Sequence, residues 1–218
     1  MAHEPKRFYP AFVDLTRRLA IVVGGGDVAE RKVMTLVKCG ADVAVIAPQV
    51  TTPINEMEAA GKLTVERREF VSGDLKGAFV VICATDSAEV NEAVFREAEG
   101  QGCLVNVVDK PELCNFIVPS IVRRGGLQIA VSTGGAAPAL AKRLRRRLTE
   151  EFGPEWAEYI ELLRQVRELV LDRVADEGRR KRILEALADR DDLREALAAG
   201  EYVDPDRVLM ELVVDAKE

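Results

Sequence analysis

The feature that most constrains the fold is an apolar run, Leu19 to Val23, that leads into three glycines and then into a helical pattern. Gly24, Gly26 and Ala29 have the G-x-G-x-x-G/A spacing of a dinucleotide-binding βαβ unit. In such a unit the first glycine permits a tight exit from the strand, and the second lets the backbone approach a pyrophosphate. The alanine lets the helix pack closely on the sheet, and the N–H groups of its first turn face the anion. The stretch therefore predicts a nucleotide site, with a plain strand–helix turn as the alternative.

Strands and helices alternate through the first half of the chain. Continuously apolar segments predict five strands, at 19–23, 43–47, 63–67, 79–84 and 104–108. Helical patterns lie between them, over 28–39, from Thr52 to Gly61, and from Ser87 to 99. Thr52 is predicted to be the N-cap of the second helix, with Pro53 in its first helical position. This alternation predicts an α/β fold with a parallel, doubly wound sheet. The apolar lead-in 8–15 is predicted to pack on the sheet edge.

The pattern changes after Asp109. Segments 116–122 and 127–131 predict two antiparallel strands joined by a turn at Gly125-Gly126. A basic helix is predicted over 139–152, and further helices at 155–175, 179–187, 191–198 and 205–213. Ile160, Leu163, Val166 and Val170 recur at helical spacing and are predicted to form core stripes of a small helical domain.

Composition excludes several classes of protein. The four cysteines form no C-x-x-C pair and are interpreted as buried thiols. The only histidine is His3, which excludes a histidine base in the core and a His-rich metal cluster. No apolar run approaches the roughly 18 residues of a membrane span, and the N-terminus lacks a signal-peptide pattern. These features predict a cytoplasmic protein without a membrane association.

Charge is distributed unevenly. The net charge is −6, yet residues 113–149 contain seven basic and no acidic residues, whereas 150–218 contain eleven basic and twenty acidic ones. A basic band in an acidic protein indicates a polyanionic ligand or a complementary subunit face. Nucleic acid is not expected as the partner, because the band is short and the chain is acidic overall.

Several spaced motifs together carry a resemblance to one family. They are Val22–Lys32, Ala84–Asp86, Asn106–Asp109, Phe116–Ser120 and Ala130–Pro138. With these motifs in this order, the chain resembles the precorrin-2 dehydrogenase family, the dehydrogenase/chelatase module of siroheme synthases. The resemblance implies oxidation of precorrin-2 to sirohydrochlorin with NAD⁺ as the hydride acceptor. For many members it also implies Fe²⁺ insertion at the same site to give siroheme.

The resemblance also implies an architecture. A Rossmann-like NAD-binding domain is expected over 1–113, a hairpin and basic helix forming a dimerisation region over 114–150, and an all-helical domain over 151–218. The assembly implied is an intertwined homodimer. The chain ends where a siroheme synthase continues into its methyltransferase domain, so a stand-alone version is expected.

Asp109 is the predicted catalytic residue. It follows a parallel strand, and doubly wound sheets place their ligand sites at that end. A carboxylate beside the nicotinamide can act as a general base. By resemblance, the aspartate of the Asn-Val-Val-Asp motif serves both oxidation and metal insertion, so no other metal ligand is predicted. A helix-capping or solvated aspartate is the alternative.

The cofactor contacts combine the glycine loop with three other strand ends. By resemblance, the backbones of Asp27 and Val28 contact the cofactor. The fourth strand ends at a Thr-Asp pair, which as an alternative simply forms a turn. The acid expected after the second strand is absent. By resemblance, ribose recognition falls to Gln49 or to the Pro48 backbone, and NAD over NADP also rests on the resemblance. Asn106 is predicted to support the site, with a buried structural amide as the alternative. The predicted contacts are Gly24, Gly26, Asp27, Val28, Pro48, Gln49, Thr85, Asp86 and Asn106.

The basic band suits a polycarboxylate tetrapyrrole, because arginine binds carboxylates bidentately. A solvated helix face is the alternative for part of the band. Thr133 stands where some relatives carry a serine reported as phosphorylated, which makes it a modification candidate. A non-catalytic NAD(H)-sensing module remains the competing function. The predicted substrate contacts are Arg123, Arg124, Lys142, Arg143 and Arg146.

Overall fold

The computed structural model describes residues 6–215, so His3 lies outside the described residues. The chain divides into two compact units, Met1–Val118 and Pro119–Glu218. No helix in the described part of the chain is long and apolar enough to cross a membrane.

The first unit is a five-stranded parallel sheet in the order β3-β2-β1-β4-β5. Its strands are β1 (Leu19–Val23), β2 (Asp42–Ile46), β3 (Leu63–Glu66), β4 (Val80–Cys83) and β5 (Leu104–Val107). Its helices are α1 (Asp27–Lys38), α2 (Thr52–Ala59) and α3 (Ala88–Gln101), and a short 3-10 turn spans Pro111–Leu113. The strand order reverses its direction at β1, which is the doubly wound arrangement.

Both faces of the sheet are buried, as its continuously apolar strands require. Ala20 and Val22 of β1 belong to one core cluster with α1, whereas Ile21 and Val23 belong to a second cluster with α3. The predicted α/β fold is therefore confirmed, and each of the five predicted strands of this sheet matches an observed one to within two residues at either end.

The predicted packing of the lead-in is wrong for most of its residues. Tyr9 is 90% exposed and Phe12 is 68% exposed, and only Leu15 packs partly against a core cluster. The Asp14 carboxylate accepts a hydrogen bond from the Thr16 N–H (2.9 Å), which turns the chain before β1. The segment therefore adds no strand to the sheet.

Two local predictions are also corrected. The N-cap of α2 is Thr51 rather than Thr52, and its hydroxyl makes no capping hydrogen bond. Residues 116–119 do not belong to a strand, since the hairpin begins at Ser120. Pro119 explains the late start, because proline lacks the N–H that a ladder needs.

The second unit contains the hairpin and five helices. The hairpin pairs β6 (Ser120–Arg124) with β7 (Leu127–Val131) in antiparallel register, and Gly125 adopts a φ of 53° in the turn. The helices are α4 (Pro138–Glu151), α5 (Glu155–Arg173), α6 (Glu177–Ala188), α7 (Asp191–Ala198) and α8 (Pro205–Asp215). The predicted hairpin and helical region are confirmed.

The core of the second unit forms along α5. Val166 and Val170 are fully buried in the helical core as predicted, and Leu163 packs partly against it. Ile160 instead lies beside the hairpin turn, since a Cβ added at Gly126 would approach its side chain at 3.1 Å. The division at residues 113 and 150 and the dimerisation role of 114–150 stay predictions.

Candidate functional site

The register of the sheet brings four strand ends to the same level. Val23 lies opposite both Ile46 and Cys83, and Cys83 lies opposite Val107. The residues that follow these four positions therefore share the carboxyl edge of the sheet, which we call the sheet edge. Doubly wound sheets bind ligands at this edge, beside the strand where the order reverses.

The glycine loop after β1 is wedged between the ends of β2 and β4. The Gly24 N–H donates to the Ile46 carbonyl (2.9 Å), and the Gly25 carbonyl accepts from the Thr51 N–H (3.1 Å). A Cβ on Gly24 would overlap the carbonyl oxygen of Ala84, and Gly24 has a φ of 118°. A Cβ on Gly25 would overlap the carbonyl oxygen of Gln49. Gly25, for which the G-x-G-x-x-G/A spacing specifies no role, is thus also constrained by a close backbone contact.

Gly26 differs from its two neighbours, because a Cβ added there would meet no atom within 4 Å. Gly26 is the N-cap of α1, and no side chain caps the helix start. An open glycine at an uncapped helix start is a cradle for an anion, since the first-turn N–H groups need an acceptor from outside the helix. This arrangement fits the pyrophosphate of a dinucleotide, with Asp27 and Val28 beginning the helix.

The end of β2 offers mainly backbone and a neutral side chain. Pro48 and Gln49 are exposed. Arg67 follows β3 at the level of the β2 end, because Glu66 pairs with Ile46. Its guanidinium donates to Glu58 (3.1 Å) and Asn55 (2.9 Å). The cation nearest in register to this strand end is therefore already paired.

The end of β4 carries the Thr-Asp pair. Thr85 is half-buried, and its hydroxyl donates to the side-chain oxygen of Asn91 (3.0 Å). Asp86 is exposed, and Ser87 caps α3 by accepting from the Val90 N–H (3.3 Å). The capping residue is Ser87, so the turn does not require the Asp86 carboxylate as a cap.

The end of β5 presents Asp109. This residue is exposed and has a φ of 58°, a left-handed conformation that aspartate tolerates better than most residues. The Lys110 N–H donates to the Val107 carbonyl (3.2 Å), which turns the chain at this point. The turn directs the chain away from the strand immediately after Asp109.

Asn106 is hydrogen-bonded away from the sheet edge. Its side-chain N–H donates to the Phe116 carbonyl (3.1 Å), and its backbone forms an isolated bridge with Cys114. These hydrogen bonds favour the alternative interpretation, in which Asn106 is a structural amide. Cofactor contact by Asn106 therefore stays a prediction that this geometry does not favour.

Lys32 is a site candidate that the sequence analysis missed. It is half-buried on α1, and burial lowers the pKa of its ammonium group, as does the nearby charge of Arg31. The Asp109 carboxylate acts in the opposite direction, so the two charges lie within electrostatic range. The helical spacing could have indicated this residue, because Lys32 is three residues after the buried Ala29 and thus flanks the buried face of α1.

The five predicted substrate contacts of the second unit divide into two groups. Arg124 donates to the carbonyls of Thr149 (3.0 Å) and Phe152 (2.8 Å), so its guanidinium closes the carboxyl end of α4. These contacts favour a structural role for Arg124. The other four predicted substrate contacts, Arg123, Lys142, Arg143 and Arg146, are exposed.

The hydroxyl of Thr133 is half-buried and accepts from the Ala137 N–H (3.1 Å), closing the turn before α4. Its modification stays a prediction. Within residues 6–215, no group of three or more His, Cys, Asp or Glu side chains is arranged to hold a metal ion.

Known proteins match both units. Residues 11–120 match the family described as "Putative NAD(P)-binding", and residues 124–151 match "Sirohaem biosynthesis protein central". A siroheme synthase from Methylobacillus flagellatus is 44% identical over 80% of this chain and 37% of its own length. Siroheme synthase 3 from Aeromonas hydrophila is 36% identical over 97% of this chain and 45% of its own length. The chain thus spans less than half the length of these two relatives.

A solved structure matches over nearly the full length of both chains. The structure named "SirC, precorrin-2 dehydrogenase" has a TM-score of 0.80 and 31% identity, and the match covers 94% of this chain and 98% of the other. The fold and its sheet edge define a dinucleotide-binding protein. The chain belongs to the family that comprises precorrin-2 dehydrogenases and the corresponding region of siroheme synthases.

Proposed function

We propose that this protein oxidises precorrin-2 to sirohydrochlorin with NAD⁺ as the hydride acceptor. The observation that carries the proposal is the sheet edge, where the open start of α1 lies level with the ends of β4 and β5. The proposed pyrophosphate cradle and the exposed Asp109 carboxylate would then share the sheet edge. The likeness to a precorrin-2 dehydrogenase along nearly the whole chain supports the same reaction.

The glycine loop and the start of α1 would hold the pyrophosphate of the cofactor, with Gly24, Gly26, Asp27 and Val28 in the roles given above. When bound, NAD⁺ supplies the hydride acceptor. Pro48 and Gln49 would face the adenosine ribose. The pairing of Arg67 with Glu58 supports NAD over NADP, because a 2′-phosphate is usually met by an arginine with free donors.

Asp109 would act on the substrate side of the reaction. Oxidation of precorrin-2 removes a hydride and a proton, and the exposed carboxylate is suited to accept that proton. The Lys32 ammonium would hold a positive charge near the Asp109 carboxylate. Lys32 is therefore proposed as a positioning and electrostatic residue rather than a catalytic one.

The exposed basic residues of the second unit would bind the carboxylates of the tetrapyrrole. Arg123, Lys142, Arg143 and Arg146 are the proposed contacts, and Arg124 is proposed to act only through the end of α4. Guanidinium and ammonium groups recognise carboxylates through charge-assisted hydrogen bonds. Removal of one such exposed group should raise KM and leave kcat nearly unchanged.

The decisive experiment is an anaerobic assay with precorrin-2 and NAD⁺. We expect NADH to form together with the absorption spectrum of sirohydrochlorin. Binding of NAD⁺ without NADH formation would reject the dehydrogenase and favour the NAD(H)-sensing module. A parallel assay with sirohydrochlorin and Fe²⁺ tests iron insertion, which the resemblance implies for Asp109 and which stays a prediction.

We also propose a homodimer. Leu140 and Leu144 are each 37% exposed and lie four residues apart on α4, so they form an apolar stripe on one face of this helix. A second copy that covers this stripe would make 114–150 the dimerisation region. Sedimentation velocity of the wild type and of Leu144→Lys tests the proposal, since the lysine should shift a dimer toward the monomer.

A further inference from the structure

Asn91 of α3 is a buried polar residue of the described chain, with 4% exposure. Its side chain lies behind the end of β4. The side-chain oxygen accepts from the Cys83 thiol (3.0 Å) and from the Thr85 hydroxyl (3.0 Å). The side-chain nitrogen donates to the backbone carbonyl of Thr85 (3.2 Å). Asn91 thus holds Thr85 at two points, its hydroxyl and its carbonyl.

The orientation of this amide follows from its partners. A backbone carbonyl can only accept, so it requires the NH₂ group of Asn91 on its side. The side-chain oxygen then faces the thiol and the hydroxyl, and both of these groups must donate. Burial raises the pKa of the Cys83 thiol to about 11, so the thiol remains protonated and able to donate at neutral pH. The three partners agree on one orientation.

The consequence falls on the Thr85 hydroxyl. It has a single proton, and the oxygens around it are the Asn91 side-chain oxygen at 3.0 Å and the Ser87 carbonyl at 3.5 Å. Both are acceptors, so the proton remains directed into the protein. The hydroxyl offers only lone pairs to a ligand at the sheet edge.

We propose that Asn91 is a positioning residue that makes Thr85 an acceptor for a hydrogen-bond donor on the nicotinamide half of the bound dinucleotide. This inference rests on the proposed function. The pyrophosphate cradle follows β1 and the adenosine ribose is assigned to the end of β2, so β4 lies on the opposite, nicotinamide side. Donors on that half are the ribose hydroxyls and the carboxamide NH₂, which share this chemistry.

The first test compares Thr85→Val with Thr85→Ser in binding to three ligands. Valine removes the hydroxyl, so we expect the Kd for NAD⁺ to rise about 5- to 10-fold, as for one neutral hydrogen bond, with the Kd for ADP unchanged. Serine retains the hydroxyl and should restore the wild-type Kd. ADP-ribose separates the two donors: a loss that persists with it identifies the ribose, and a loss restricted to NAD⁺ identifies the carboxamide.

The second test concerns Asn91. Asn91→Leu removes the acceptor of the hydroxyl proton, so we expect a loss for NAD⁺ that does not add to that of Thr85→Val in the double variant. Asn91→Ser, which leaves space for a water, serves if leucine prevents folding. Cys103→Ala is the control, because its buried thiol donates to the Ala78 carbonyl (3.1 Å) at the opposite edge of the sheet.

Three results would overturn the inference. They are an equal loss for ADP and NAD⁺ in Thr85→Val, an unchanged Kd for NAD⁺ in that variant, and full additivity in the double variant. Wild-type protein that binds neither ADP nor NAD⁺ would instead reject the proposed function, and the inference with it. Binding without turnover of precorrin-2 would reject the proposed reaction and leave the inference in place.

Discussion

The sheet edge of the first unit and the hairpin with α4 in the second unit both collect polar residues that the sequence singles out. The two regions differ in how many of these polar groups are already hydrogen-bonded within the fold. At the sheet edge, Asp109 is exposed and α1 begins without a side-chain cap. In the second unit, the guanidinium of Arg124 donates hydrogen bonds to the carbonyls at the end of α4.

The difference supplies a criterion for assigning roles. A polar group whose hydrogen bonds are satisfied inside the fold stabilises the fold, and removing it leaves a partner unsatisfied. A polar group with remaining capacity is available to a ligand. This criterion predicts a functional role for Asp109 and the start of α1 and a structural role for Asn106 and Arg124. It predicts both roles for Thr85, since the hydroxyl proton of Thr85 is used and its lone pairs are not.

The largest effect is expected for Asp109→Asn. Asparagine also tolerates the left-handed backbone at this position, so the fold should be retained. Loss of the base should reduce kcat by about 10²- to 10⁴-fold and leave the Kd for NAD⁺ unchanged. Glu112→Gln, which neutralises another exposed carboxylate in the adjacent turn, is the matched control. Near-normal turnover in Asp109→Asn would contradict a catalytic role for Asp109 at the sheet edge.

Gly26→Ala should separate binding from folding. The new methyl group meets no protein atom within 4 Å, so the thermal midpoint should hardly change. It would stand where the pyrophosphate approaches, and loss of one charge-assisted hydrogen bond would weaken NAD⁺ binding by about 10- to 150-fold. Gly25→Ala is the contrasting variant and should lower the thermal midpoint, because its methyl group overlaps the Gln49 carbonyl. Equal destabilisation of both variants would argue against an open cradle at Gly26.

Arg124→Met and Arg146→Met test the second region. Arg124→Met leaves the carbonyls at the end of α4 without their donor, so we expect the free energy of unfolding to fall by about 1–3 kcal/mol. Arg146→Met should change the free energy of unfolding by less than about 0.5 kcal/mol, because its side chain is exposed. Its KM for the tetrapyrrole should rise. Urea unfolding measures the free energy of unfolding, and steady-state kinetics measure KM. A destabilised Arg146→Met together with a stable Arg124→Met of raised KM would contradict the criterion.

The smallest effect is expected for the stability of Lys32→Met. The lowered pKa of Lys32 means that the folded state disfavours its charge. Between that lowered pKa and the ordinary value of 10.5 the unfolded state binds more protons, so wild-type stability gains there as the pH rises. Methionine removes the penalty, so the variant should be more stable than the wild type at neutral pH, by up to about 0.5 kcal/mol. This difference in the free energy of unfolding should vanish toward pH 10.5. A difference that persists at that pH would show that it does not arise from the charge of Lys32.

Much of the fold could be predicted because its causes are local. The five apolar strands, the glycine turn after β1 and the Gly125-Gly126 hairpin are encoded in short stretches. The prediction for the lead-in 8–15 was wrong because apolar composition does not specify which surface a segment packs on. Tyr9 and Phe12 remain exposed instead of packing on the sheet. The nearness of Lys32 to Asp109 could not be predicted either, since it depends on how α1 packs against the sheet rather than on either segment alone.

The wedged glycine loop has a consequence for how fast the cofactor can bind. Carbonyl oxygens of Ala84 and Gln49 contact the loop from two sides, and backbone hydrogen bonds tie it to Ile46 and Thr51. Such a loop has little room to rearrange, so its amide groups are arranged before the ligand arrives. Association should then be a single concentration-dependent step without a slow isomerisation, and differences in affinity among variants should reside mainly in the dissociation rate.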